Sequence, residues 1–456
     1  MNSESQIFLT KRLTFLILCL MTALAMFMRM EYIQTTVIPR PIVADARQYV
    51  LYGHNLCYHG TFSKELASGE PRPDAFRSPG YPLLIALGFV LGGKQGFYPV
   101  LLVFQAMLGA LMVPLTFLLG RWILSSACWA MLAAFLVAIS PHLIAMTGYL
   151  LTETLFSFVL LSALVCFSFA LKTNRPFHFG LAGFCWGFAY LTNETALLLP
   201  FLFFVILFCH GFQSRHKDGK WKKTLRGMSV CIIVFSLFPI AWALRSRHLP
   251  PDAPKGGSRA IATMTHGTYI GFTHKDPGFK YFPYREDPMQ PAFSSSLKNF
   301  VTIFGERFRQ RPLRYLSWYV LEKPFYLWSW NILQGQGDVY VYPVKTSWYQ
   351  TSVIANATRI AMKISHPLIL TFALVGILLF FVTPMCSDER TGAFTHRSIF
   401  PVIIITVYYT LLYMVFASWP RYSIPLRPEL YLLASWSMKI LAEYLTERRK
   451  LAYERQ

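Results

Sequence analysis

Apolar runs alternate with short polar turns along most of this chain. Leu13–Met30, Phe97–Leu119, Ala127–Ile139, Leu155–Leu171, Phe179–Leu191 and Leu197–Phe212 form a first series. Met228–Leu244, Pro367–Pro384, Ile399–Ala417 and Ile424–Leu441 form a second. Runs of about 17–25 apolar residues are long enough to cross a bilayer as helices. The pattern therefore predicts an all-α polytopic membrane protein with about ten spans. Leu13–Met30 follows Lys11-Arg12 without a small-residue cleavage site behind it, so it reads as a retained first helix.

Basic residues mark alternate turns. Lys11-Arg12, Arg121, Lys172 with Arg175, the cluster Arg215, Lys217, Lys220, Lys222, Lys223 and Arg226, then Arg390 with Arg397, and finally Arg448-Arg449-Lys450 fall on one side. The positive-inside rule makes that side cytoplasmic. Both chain ends are then inside, and the intervening polar segments face out.

Two stretches break the alternation. Glu31–Gly96 is the first outer loop, and its apolar part, Tyr81–Leu91, is short for a span. It reads as an interfacial or re-entrant helix, with a short span as the alternative that would invert every later crossing. Arg245–Lys363 contains no uninterrupted apolar run and is rich in Pro, Gly, Tyr and Trp. Within it, Leu313–Ile332 is aromatic and amphipathic, which fits either a helix at the membrane interface or a buried core helix. The chain divides accordingly into 1–244, a transmembrane module with two outer loops; 245–363, an outer-face loop domain; and 364–456, a C-terminal transmembrane segment.

Composition agrees. Of 456 residues, 54% are hydrophobic and 14% charged, and the mean hydropathy is +0.40. Soluble domains carry about 25% charged residues. The formal net charge of +21 would suggest nucleic acid in a soluble protein. Here the positive-inside bias accounts for part of it, and nucleic acid is not expected as a partner. The outer stretch Arg245–Lys363 adds sixteen Lys and Arg against seven Asp and Glu. Of eight cysteines, six lie in apolar runs and Cys57 and Cys386 fall on opposite sides, so no disulfide framework or zinc spacing is present.

Ionisable groups at a membrane are costly, and function is the default hypothesis for them. The outer side collects Asp45 with Arg77, Glu153, Arg245, and Arg421 with Tyr422. A carboxylate can take a proton from an attacking hydroxyl. Arginine binds phosphate oxygens bidentately and stabilises a departing phosphate. Each group also has a plainer reading. Asp45 could pair with Arg47 or Arg77 in a solvated loop. Glu153 could favour the start of its helix through the dipole. The arginines could anchor at headgroups. His54, His59, His142, His266 and His274 show no metal spacing.

An ordered set of motifs resembles the GT-C glycosyltransferase superfamily, in particular bacterial relatives of protein mannosyltransferases and the aminoarabinose transferase. Asp45-Ala46-Arg47-Gln48-Tyr49 is similar to the acidic start of that superfamily's first outer loop. Arg77-Ser78-Pro79-Gly80-Tyr81-Pro82 is similar to its Arg/Lys-x-Pro-x-Tyr element. Ser140-Pro141 followed by Leu151-Thr152-Glu153-Thr154 matches its second outer loop, and Trp419-Pro420-Arg421-Tyr422 matches a late motif. Trp242 to Arg245 adds weaker support. The resemblance implies a GT-C-type helix bundle with an outer-face loop domain. It implies Asp45 as catalytic base and Glu153 as a second acid that orients it or the acceptor. Arg77 and Tyr81 would face a donor phosphate, with Arg245, Arg421 and Tyr422 as further phosphate or sugar contacts.

The donor so implied is a polyprenyl-phosphate-linked sugar, and the acceptor a hydroxyl of a lipid, glycan or protein. A site facing away from the cytoplasm, in the inner membrane, suits a lipid donor because nucleotide sugars are made inside. Many relatives carry a second acid directly after the first; this chain has Ala46 there, so no metal or other cofactor is expected. Two rivals remain at this level. A transporter or flippase of lipid-linked sugars calls for broken helices at mid-membrane and often repeated halves. A non-catalytic scaffold would leave Asp45, Glu153 and Arg77 on separate faces.

Overall fold

A computed structural model describes residues 3–66, 69–213, 220–271, 284–333, 335–382 and 393–453. The turn residues Arg215, Lys217 and Arg390, together with His274 and Cys386, lie outside the described residues. Among the described residues there are helices and isolated bridges but no strand. In order come α1 (Ser3–Thr35), α2 (Ala44–His59), α3 (Gly80–Leu124), α4 (Ala127–Ile139), α5 (Pro141–Met146), α6 (Glu153–Thr173), α7 (Pro176–Thr192), α8 (Leu199–Gln213) and α9 (Lys220–Arg247). The expected outer segment holds α10 (Gly256–Thr268), α11 (Gln290–Phe293), α12 (Leu297–Gln310), α13 (Pro312–Ser317), α14 (Lys323–Leu327) and α15 (Trp348–Thr351). The chain closes with α16 (Val353–Val382), α17 (Ala393–Val415) and α18 (Arg427–Tyr453).

Five of these helices are long and apolar enough to cross a membrane: α1 from Lys11, α3, α6, α9 from Trp221, and α16. Shorter apolar helices occupy Ala127–Ile139, Glu194–Cys209 and Ile399–Val415. Phe15, Leu20, Leu237, Leu368 and Phe381 are each more than half exposed. So wide an apolar surface suits lipid rather than water. The protein is an integral, multi-pass membrane protein.

The turns follow from their residues. Ser125 and Asn174 adopt left-handed conformations (φ 52° and 51°) that end α3 and α6. Pro141 and Pro176 begin α5 and α7, where a missing N–H costs nothing. Gly93, with φ 64° and ψ −171°, folds α3 back on itself. Phe89 then stacks on Phe97 at 4.1 Å, and Gly88 lies against Leu101. Tyr81–Leu91 is thus one arm of a helical hairpin, rising only about 16 Å. The second arm contains the expected Phe97–Leu119 run.

Leu313–Ile332 is not a single helix. A π-helical turn at Trp318–Glu322 separates α13 from α14, and Pro324 begins the latter. Its two faces divide by contact. Tyr315, Trp318 and Leu327 are buried, whereas Leu313, Leu321 and Phe325 are exposed. It has both a core face, packed on Ala417 and Trp419, and an outward apolar face.

One polar device inside the bundle was not expected. Arg29, wholly buried in α1, donates from Nη1 to the carbonyls of Ala25 (2.9 Å) and Ala138 (3.2 Å) and from Nη2 to that of Val137 (3.3 Å). Val137 and Ala138 end α4, where carbonyls lack intrahelical partners. A cation there satisfies those carbonyls and the helix dipole together.

Helices α7 and α9 approach closely through glycine. A Cβ on Gly183 would stand 2.3 Å from the Cys231 carbonyl oxygen, a backbone atom that cannot swing aside. Gly183→Leu should therefore lower stability by about 1–3 kcal/mol or more. A clear drop in the thermal unfolding midpoint in detergent is the expected result, with Gly257→Ala, in open space, as the neutral control.

Candidate active site

Four stretches distant in sequence meet at the ends of helices. Asp45 sits in the first turn of α2, Arg77 in the loop before α3, Glu153 at the first residue of α6, and Arg421 in the 3-10 turn Pro420–Leu426 before α18. Arg77 Nη2 donates to Asp45 Oδ1 at 2.7 Å, and Arg421 Nη2 donates to Asp45 Oδ2 at 3.0 Å. Arg421 Nε also lies 2.8 Å from Glu153 Oε1, an ionic contact without hydrogen-bond alignment. Each oxygen of Asp45 thus has its own guanidinium, and Arg421 lies between the two acids.

The first turn of α2 explains how Arg77 is aimed. Residues three and four apart share a helix face. Asp45, Gln48 and Tyr49 accordingly present a carboxylate, an amide oxygen and a hydroxyl together. Arg77 Nε donates to Gln48 Oε1 at 2.8 Å and Nη1 to the Tyr49 hydroxyl at 3.3 Å, while its plane lies over the Tyr49 ring. All three of its nitrogens are engaged by one helix face. Sequence reading missed Gln48 and Tyr49, although their spacing from Asp45 was visible.

Electrostatics follow the geometry. Burial works to raise the Asp45 carboxyl, but Arg421 and Arg77 outweigh it and hold it well below the usual carboxylate range. Burial works to lower Arg77, but Tyr49 and Asp45 outweigh it and keep its guanidinium charged. Burial likewise opposes the charge on Arg421, and Glu153 and Asp45 restore it. The Asp45 side chain is 34% exposed, against 11% for each arginine and 7% for Glu153. The most reachable group of the cluster is therefore its central carboxylate.

The remaining expected residues stand differently. Tyr422 stacks on Tyr413 (5.0 Å between centroids) and lies under the Arg421 guanidinium. Tyr81 is fully buried, with its hydroxyl donating to Gln105 Oε1 at 2.9 Å and its ring edge against Tyr49. It supports the α2 face from behind. Arg245 stays outside the cluster: it donates to the carbonyls of Asp74 and Phe62 and lies over the Phe62 and Trp242 rings. It pins the loop between α2 and α3 to the end of α9. Asp74 accepts from the Tyr52 hydroxyl and from the Phe76 amide, which fixes the approach to Arg77. Glu194, next to the site, accepts from the Ser78 hydroxyl at 3.0 Å and pairs with Arg259.

Comparison with known proteins bears on this arrangement. Residues 76–242, 167 of the 456, match the model of the dolichyl-phosphate-mannose-protein mannosyltransferase family. The match takes in Arg77, Tyr81 and Glu153 but not Asp45 or Arg421. The archaeal oligosaccharyltransferase AglB of Archaeoglobus fulgidus, solved with an inhibitory peptide and dolichol-phosphate, is similar over 98% of this chain and 52% of its own, with a TM-score of 0.51 at 13% identity. The fold is that of the GT-C glycosyltransferases. The Archaeoglobus fulgidus oligosaccharyltransferase with zinc and sulfate shows the same GT-C likeness, over 96% of this chain and 50% of its own, with a TM-score of 0.50 at 13% identity. ArnT from Cupriavidus metallidurans, bound to undecaprenyl phosphate, aligns over 97% and 79% with a TM-score of 0.37 at 11% identity. The chain spans about half the length of the first two. No curated protein matches its sequence.

Zinc accompanies one GT-C neighbour, so the acids need testing as a metal site. Here both Asp45 and Glu153 face the Arg421 guanidinium, and Ala46 supplies no third oxygen ligand. Among the described residues no group of three His, Cys, Asp or Glu could hold a metal ion. A divalent cation would have to displace a cation already seated between the carboxylates, so the donor set does not fit one.

Removing Arg421 leaves Glu153 a buried carboxylate without its cation, a change that costs about 3–5 kcal/mol. Arg421→Ala should lower the unfolding midpoint strongly. Arg421→Ala with Glu153→Gln should recover part of that loss in a double-mutant cycle, whereas two independent residues would give additive losses.

Proposed function

We propose that this protein is a glycosyltransferase that moves a sugar from a polyprenyl-phosphate donor to a hydroxyl acceptor on the outer face of the inner membrane. The observation that carries this reading is the meeting of Asp45, Arg77, Glu153 and Arg421 in one cluster. A scaffold has no use for such convergence, and a scaffold with these groups on separate faces is not what is found. The family match and the GT-C fold support the reaction class. The dolichol-phosphate named with one structural neighbour supports the donor class.

The roles follow from the chemistry. Asp45, the most exposed carboxylate, takes the proton of the acceptor hydroxyl as that oxygen bonds to the anomeric carbon. The bond from anomeric carbon to phosphate oxygen breaks, and its electron pair leaves on the phosphate. Attack opposite the leaving group inverts the centre without a covalent enzyme intermediate. Arg77 and Arg421 receive the charge that develops on the phosphate. Glu153 orients Arg421, and through it Asp45. Tyr422 offers a ring face to the sugar or the carrier. Arg245 and Tyr81 act indirectly, by holding the first outer loop and the α2 face. Holding donor and acceptor together supplies much of the rate.

Transfer from a radiolabelled polyprenyl-phosphate sugar by purified protein tests the proposal. Asp45→Asn should lower transfer by at least about 100-fold, the scale of a lost general base, while the variant still inserts in the membrane and stays folded at the assay temperature. Chelation with EDTA should leave wild-type transfer unchanged. Normal transfer by Asp45→Asn would sink the mechanism, and loss of activity on chelation would sink the metal-free site.

A further inference from the structure

The cluster raises a difficulty for its own chemistry. A carboxylate gripped by two guanidiniums is a weak proton acceptor, because both stabilise its charged form. The same two arginines are the cations available to a donor phosphate. Arg77 has no free nitrogen, since Gln48, Tyr49 and Asp45 take all three. Arg421 is shared between Asp45 and Glu153, leaving Nη1 without a hydrogen-bond partner among the described residues. The N–H groups still open on Arg77 sit on nitrogens already bonded to Asp45 and Tyr49, and those of Arg421 lie beside its bond to Asp45, so a phosphate that binds these arginines shares both cations with Asp45.

We infer that donor phosphate and Asp45 compete for Arg77 and Arg421, so that binding of the lipid phosphate itself frees Asp45 to act as base. This rests on the reading of the site as a lipid-phosphate glycosyltransferase and adds a coupling to it. In the empty protein Asp45 is masked. When the phosphate draws Arg77 and Arg421 away, the carboxylate regains proton affinity beside the acceptor hydroxyl. As transfer proceeds, the acceptor proton passes to Asp45, and the phosphodiester becomes a phosphomonoester holding both arginines. When the carrier phosphate departs, the guanidiniums return to Asp45 and its proton is released to water. The carboxylate is thus a competent base only when a donor is present.

Glu153 makes the exchange feasible. It keeps Arg421 beside the site by its ionic contact when the Asp45 bond is broken, so the guanidinium turns rather than leaves. Gln48 does the same for Arg77 at Nε, as a neutral partner that does not compete in charge.

Binding measurements with two nearly isosteric substitutions separate the possibilities. Undecaprenyl phosphate is titrated into the full-length protein in detergent, with inorganic phosphate as a parallel probe. Asp45→Asn removes the competing charge and should tighten undecaprenyl phosphate binding about tenfold, within what one unit charge at a few ångströms provides. Gln48→Glu adds a competing charge on Arg77 and should weaken binding by a similar factor. Gln48→Glu should keep a near wild-type unfolding midpoint, whereas Asp45→Asn should lower it because Arg77 loses its carboxylate, so binding is compared well below both midpoints. Unchanged or weaker binding by Asp45→Asn, with wild type binding normally, overturns the competition and leaves the glycosyltransferase reading standing. Absence of undecaprenyl phosphate binding in wild type and Asp45→Asn alike overturns the lipid-phosphate reading itself. Equal affinity for inorganic phosphate would overturn the lipid carrier as the source of the phosphate.

Discussion

The Arg421 guanidinium is the pivot of this structure. It lies between Asp45 at the start of α2 and Glu153 at the start of α6, and it arrives from a turn nearly 380 positions after Asp45. Two carboxylates so close, and so little exposed, repel each other and resist burial unless a cation separates them. The guanidinium supplies that cation, with a geometry that no lysine reproduces. The starts of α2, α3, α6 and α18, which carry or follow these groups, must then meet at one level.

A layer of supporting contacts keeps the pivot in position. Tyr81 and Tyr49 meet edge to face behind Arg77, and Gln105, which binds Tyr81, donates to the carbonyls of Thr147 and Tyr149 just before α6. The floor of the site is thereby tied to the segment that delivers Glu153. On the other side the segment between α9 and α16 is hooked to the exit of α1, since Val37 donates to Thr346 and Lys345 donates back to Val37, both at 2.8 Å. Tyr342 from the same segment donates to the Val43 carbonyl, two residues before Asp45. The long segment between α9 and α16 is thus part of the wall around the site and not a separate appendage.

The distinction between groups that face the site and groups that build it decides how the expected residues divide. Asp45, Arg77, Glu153 and Arg421 share charge directly. Arg245 looked equivalent as a Trp-x-x-Arg at a helix end, yet its guanidinium closes a loop by binding two carbonyls. Arg29 shows the same use of arginine deeper in the bundle, at the end of α4. An intramembrane arginine in an apolar run was a readable signal there, but nothing local said that its partners would be carbonyls of another helix.

Apolar periodicity, run length and the placement of basic turns determined the helical membrane class and most helix positions from sequence alone. These are local properties: bilayer thickness sets length, and backbone polar groups in lipid must be satisfied within the helix. Acid and arginine near helix ends named the four groups of the cluster for the same reason, since charge there is costly. Which oxygen each guanidinium binds, that one arginine bridges both acids, that Gln48 and Tyr49 complete the grip on Arg77, and that Arg245 and Tyr81 stand behind the site were decided only by the tertiary structure. Those facts depend on contacts between residues hundreds of positions apart, where distances of an ångström or two separate a charge partner from a bystander.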